Sequence, residues 1–180
     1  MMLRMSLDRY VQNYGEDTHA AACMRFLDEA ERPFHRETST GHFTGSAWLV
    51  DASGERVLLT HHRKLQRWLQ LGGHADGDSD LAAVALREAG EESGLTDLRV
   101  EPEIFDVDRH WIPERKNEPG HWHYDVRYVV RTSGSEQFVI SDESLELAWV
   151  SIRQLAEALD TDESMRRMAR KWLARFPESA

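Results

Sequence analysis

The sequence predicts an α+β fold built on a mixed β-sheet, and three observations predict it. Strand-like apolar runs are interleaved with segments whose apolar residues recur every three to four positions. Two of the strand-like runs are joined by the short turn Ala52-Ser53-Gly54, which suggests a hairpin rather than a strand–helix–strand crossover. No internal repeat, low-complexity tract or linker divides the 180 residues, so the elements are expected to share one core.

Taken in order, residues 7–31 read as helical in two pieces broken near Gly15. Ala22, Phe26 and Ala30, like Cys23 and Leu27, fall at helical spacing. Pro33 and the Thr38-Ser39-Thr40-Gly41 cluster mark a loop. Residues 43–51 and 56–61 read as strands, and residues 68–71 as a short strand that ends at Gly72-Gly73. Residues 81–93 are strongly helical, and Gly94 is well placed to end that helix in a left-handed conformation. Residues 98–111 and 122–131 read as strands separated by a charged loop containing Pro113, Pro119 and Gly120. A last short strand at 147–150 precedes helices at 152–159 and 164–176.

Composition excludes several classes. The formal net charge is −10, whereas a duplex-DNA binder needs a basic stripe. The longest stretch free of charged residues and histidine, residues 43–50, is far short of the ~20 apolar residues of a membrane helix. Arg4, Asp8 and Arg9 interrupt any secretory signal, and the single cysteine, Cys23, cannot form an internal bridge. A cytoplasmic protein that acts on small molecules is the expectation. A phosphorylated substrate would reach so acidic a chain together with a metal cation.

The chemistry concentrates in residues 72–95. At about 100° per residue, Leu81, Val84, Ala85, Glu88, Glu91, Glu92 and Leu95 share one helical stripe. The stripe turns from apolar to acidic and back. Three carboxylates within one turn repel one another, and an unpaired buried charge is expensive. A hard divalent cation such as Mg²⁺ resolves both problems, because it takes carboxylate oxygens and keeps positions for water and phosphate. The alternative is a solvated acidic face with Arg87 paired to Glu91. The Gly72-Gly73 loop before the helix favours the metal, since glycines let backbone carbonyls approach an ion closely.

These residues resemble the Nudix box, G-x5-E-x7-R-E-U-x-E-E-x-G-U, where U is a bulky aliphatic. Gly73, Arg87, Glu88, Glu91, Glu92, Gly94 and Leu95 fall in register with it. Two positions depart: Ser79 stands at the first glutamate, and Ala89 replaces a bulkier residue. That glutamate is a structural partner of the arginine in the family, so Asp78 or Asp80 is expected to pair with Arg87, and Ser79 to cap the helix. Gly41-His42-Phe43-Thr44, Leu71-Gly72-Gly73-His74 and Trp149 extend the likeness over residues 41–159.

The resemblance implies a Nudix-type α/β/α sandwich spanning residues 41–180, with residues 1–40 as a helical extension. The extension is amphipathic, so it is expected to pack on the core or on a second copy in a homodimer. The resemblance further implies a pyrophosphohydrolase that uses Mg²⁺ or Mn²⁺ to cleave a nucleoside diphosphate linked to another moiety. A Nudix-fold nucleotide sensor without turnover is the other reading, and the intact glutamate set argues against it. Metal ligands would be Gly73, Glu88, Glu91 and Glu92. Glu91 and Glu92 are also catalytic, with Glu143, then Glu146, as the base from a remote loop. Substrate contact is expected from Lys64, Arg67 and His74, the last also beside metal-bound water, and from His123 and Arg127 on the polar face of one strand. On that face His121, His123 and Asp125 also carry a weaker expectation of a transition-metal site. Trp68, Trp111 and Trp122 flank the expected cleft, where one could stack on a base. No G-x-S-x-G elbow, P-loop or Rossmann fingerprint competes.

Overall fold

The computed structural model describes residues 2–63, 66–115, 119–140 and 144–176. Two helices lead: α1 (Met2–Tyr14) and α2 (Thr18–Glu29). Gly15, at φ +86°, breaks them apart, a conformation that side-chain-bearing residues adopt only with strain. Asp17 then caps α2 by accepting hydrogen bonds from the His19 and Ala20 N–H groups at 2.7 and 3.1 Å.

The strands are β1 (Gly41–Val50), β2 (Arg56–His62), β3 (Arg67–Leu69), β4 (Leu71–His74), β5 (Leu98–Ile112), β6 (His121–Thr132) and β7 (Ser144–Ser151). Helix α3 (Leu81–Ser93) lies between β4 and β5, and α4 (Ile152–Glu157) and α5 (Glu163–Ala174) close the described chain. The strands form one mixed sheet in the order β3-β2-β1-β6-β5, with β4 added on β1 and β7 on β2.

The expected antiparallel hairpin forms, but it is short. β1 and β2 meet only at Val50 and Val57, beside the turn. Beyond that point β2 runs antiparallel to β7, while β1 lies parallel to β6 and antiparallel to β4. Every residue of β1 is buried, as expected of a central strand covered on both faces.

Alternation along β1 and β6 divides the core in two. Phe43, Ala47 and Leu49 with Tyr124, Val126, Tyr128 and Val130 pack against α3 and the N-terminal helices. Trp48, Val50 and Val129 pack against α4 and α5 on the other face. The result is an α/β/α sandwich. The N-terminal helices join the first core through Leu3, Leu7, Tyr10, Ala20, Cys23 and Phe26. Phe26 stacks on Tyr124 with ring centroids 4.1 Å apart.

Candidate active site

The box is a strand–loop–helix unit. Asp80 caps α3 by accepting from the Ala83 N–H at 3.1 Å, so the cap falls one residue after the expected Ser79, which is exposed. Gly94 ends the helix at φ +70°, its N–H donating to the Gly90 carbonyl at 2.8 Å. Leu81, Val84, Ala85 and Ala89 face the core, and full burial of Ala89 accounts for the small side chain there.

The same face carries the carboxylates against the glycine pair. The Gly72 N–H donates to Glu92 Oε1 at 2.8 Å. A Cβ on Gly73 would lie 2.5 Å from Glu88 Oε2, so a side chain there would push this carboxylate from its place against the strand. Glu92 is buried, Glu88 half-buried and Glu91 exposed. The three therefore form a gradient from core to solvent at the C-terminal half of α3, where the helix dipole adds further negative potential. Hard oxygen donors at such a negative point fit a Mg²⁺- or Mn²⁺-class ion.

Arg87 does not turn to Asp78 or Asp80. Its Nη2 donates to Glu88 Oε1 at 3.0 Å and to the His74 carbonyl at 3.3 Å. It thereby ties the helix to the loop and holds Glu88 in place without the first glutamate of the family pattern.

The remaining expected site residues scatter. Arg67 lies exposed on β3 with Asp162 at 3.5 Å. Lys64 and Glu143 lie outside the described residues. Glu146 is exposed on β7, opposite His61. Trp68 stacks on His61, and Trp111 meets Trp122 edge-on with Arg109 over the Trp122 ring.

Arg127 is the clear correction. Its guanidinium is 2% exposed and is taken up by three aspartates: Asp125 at 2.7 Å, Asp108 at 2.9 Å and Asp106 at 3.3 Å. Arg167 and Lys171 from α5 reach the same Asp106 at 2.8 and 2.7 Å, and Lys171 donates to the Tyr10 hydroxyl at 2.8 Å. Asp125 also accepts from Thr44, Ser46 and Gln70. Burial alone would raise the pKa values of Asp106 and Asp125, but their cationic and hydrogen-bonding partners hold both below the usual carboxylate range. Asp125 and Arg127 are thus buried in an internal ion network, not presented to a substrate. The network also removes Asp125 from any metal site.

His123 and His74 are both half-buried. They gather with His42 in a cluster whose three ligand atoms lie within 4.8 Å of one another. Burial, reinforced by His74 and His121, lowers His42 to about 4. Burial, with His42 and His110 next in effect, lowers His123 to about 2. Both rings are neutral near pH 7.

Carboxylates drawn from one helix onto a glycine pair, beside a mixed sheet between helical layers, define a hydrolase of the Nudix class. The chain belongs to the NUDIX family: the NUDIX domain matches residues 42–173, which takes in α5 beyond the resemblance read from motifs. A NUDIX-family hydrolase from Clostridium perfringens is 28% identical, covering 74% of this chain and 97% of its own, with a TM-score of 0.58. An Ap4A hydrolase from C. elegans is 18% identical over 74% of this chain and 96% of its own, with a TM-score of 0.58. A MutT protein from Methanosarcina mazei is 18% identical over 77% and 96%, with a TM-score of 0.59. These last two share the fold. No curated protein matches the chain.

Proposed function

We propose that the chain is a Mg²⁺- or Mn²⁺-dependent pyrophosphohydrolase acting on a nucleoside diphosphate linked to another moiety. The observation that carries this reading is the closure of Glu88 and Glu92 onto Gly72 and Gly73, with Glu91 open to solvent above them. The ion-holding set is Glu88, Glu91, Glu92 and the Gly73 carbonyl. A bound divalent ion supplies Lewis-acid polarisation of a phosphoryl oxygen and lowers the pKa of water. Arg87 fixes Glu88 through its 3.0 Å contact, and the Gly72 N–H fixes Glu92, so both carboxylates are preorganised by the fold.

Glu91, the exposed member, faces the incoming diphosphate and accepts a proton from the attacking water, or shares that task with Glu143. Lys64 and Arg67 are assigned to the phosphate tail, because the acidic chain needs fixed cations to balance a second phosphate. The C. elegans neighbour named as an Ap4A hydrolase supports a dinucleotide as one member of the substrate class. The complete carboxylate set favours turnover over nucleotide sensing. Phosphate or nucleotide release from a panel of ADP-ribose, dinucleoside polyphosphates and nucleoside triphosphates tests the reading. Turnover that requires Mg²⁺ and stops with chelator is expected. Turnover that survives excess chelator, or none across the panel, overturns it.

A further inference from the structure

We propose that His42, His74 and His123 form a second metal site, separate from the box carboxylates, that takes a borderline-soft divalent transition ion of the Zn²⁺ kind. Three strands converge to build it. In the sheet register His42 of β1 lies beside His123 of β6, which in turn lies beside His110 of β5, and Thr44 lies beside His74 of β4. Ring centroids of His42, His74 and His123 stand 4.8 to 5.2 Å apart, and their ligand atoms fall within 4.8 Å of one another.

The side chains lie on the sheet face opposite the box. His42 alternates with Phe43 and Ala47, which pack under α3, and shares the side of Trp48, which packs under α4 and α5. Gly73 aims its Cβ position at Glu88, so His74, the next residue of β4, points the other way. Gly73 and His74, adjacent in β4, thus face the two sets from opposite sides of the sheet.

His42 supplies the second, independent sign of a ligand. Its side chain is 1% exposed, yet neither ring nitrogen has a hydrogen-bond partner. A buried polar group without a partner is costly, and the neighbouring Thr44 and Ser46 on the same strand are satisfied by Asp125. A cation between the rings would give His42 the partner it lacks.

His121 adds a fourth nitrogen. Its Nδ1 lies 2.8 Å from the Pro119 carbonyl, which can only accept, so Nδ1 is the donor and Nε2 is the nitrogen turned toward His123. That Nε2 is 3.1 Å from His123 Nε2. Two nitrogens each about 2.1 Å from one tetrahedral ion lie about 3.4 Å apart, so modest rotation admits an ion between them. An Nδ1 held by a backbone carbonyl is the outer-partner arrangement that orients a metal-binding imidazole. Imidazole nitrogens select Zn²⁺, Co²⁺, Ni²⁺ or Cu²⁺ over Mg²⁺, which demands oxygen. An ion here would cross-link β1, β4 and β6 and stiffen the strand that carries Gly72 and Gly73.

The test uses untagged full-length chain, stripped with chelator and titrated with Co²⁺ in excess Mg²⁺ so that the carboxylates are occupied. We expect one Co²⁺ per chain with visible absorption bands of nitrogen ligation and a raised melting temperature. His74→Ala and His123→Ala, at half-buried positions, should weaken Co²⁺ binding at least about tenfold, the lower bound for disturbing even an outer partner of a metal site. Far-UV circular dichroism checks that they fold, and either one alone suffices if the other does not. Glu88→Gln and Glu92→Gln should keep the bands even where they abolish hydrolysis, which separates this site from the proposed activity. Bands unchanged in both histidine variants, bands lost in the glutamate variants, or Co²⁺ binding no tighter than Mg²⁺ would each overturn the proposal.

Discussion

At the scale of single residues, Arg127 teaches most. Alternation on β6 sets His121, His123, Asp125 and Arg127 on one face, and an alternating polar face reads equally well as a cleft wall or as a buried network. What decides is α5, some forty residues on, whose Arg167 and Lys171 complete the charge balance around Asp106. Removing one member of such a network strands the others, so Arg127→Met should destabilise the fold by about 3–5 kcal/mol in urea unfolding. Arg67→Met, on an exposed side chain, should change stability by less than about 1 kcal/mol. The network also sets a pH dependence. Asp106 has a folded pKa below its unfolded value, so its stabilisation is complete above the unfolded pKa and fades as pH falls through the folded one. The stability difference between wild type and Asp106→Asn should therefore be largest near neutral pH and shrink below about pH 4. A difference that grows in acid would contradict that sign.

At the scale of elements, helices were legible and strand partners were not. The apolar spacing of residues 81–93 and the glycine that follows fix α3 to its observed ends, because both signals are local. The short hairpin of β1 and β2 was legible for the same local reason, yet β1 pairs along its whole length with β6, which lies about 80 residues downstream. Alternation says which residues share a face, not which strand lies alongside. The box carboxylates were legible because a single helix carries them; the imidazole cluster was not, because His42, His74 and His123 come from three strands. The amphipathic N-terminal helices needed a partner, and the structure provides one within the same chain. Leu7 is fully buried in that packing, so Leu7→Ala should cost about 2–5 kcal/mol. Deleting residues 1–31 should expose Phe43 and Tyr124 and lower the melting temperature or the solubility. An unchanged melting temperature would show that α1 and α2 add nothing to the core.

At the scale of the whole molecule, the sheet separates two environments: oxygen donors on α3 beneath one face, and imidazoles with an ion network on the other. The fold holds the first set in place through a glycine whose bare Cα leaves room for Glu88 and an arginine that binds the loop to the helix. In the proposed function these oxygen donors carry the hydrolysis. The most direct measurement compares kcat of wild type, Glu92→Gln and Glu157→Gln on the best substrate of the panel at saturating Mg²⁺. Glu157 is exposed on α4 and serves as the control. If Glu92 holds the proposed ion, its loss removes several kcal/mol of charge stabilisation, so Glu92→Gln should lower kcat by about 100-fold or more while Glu157→Gln matches wild type. Wild-type turnover in folded Glu92→Gln would contradict the account.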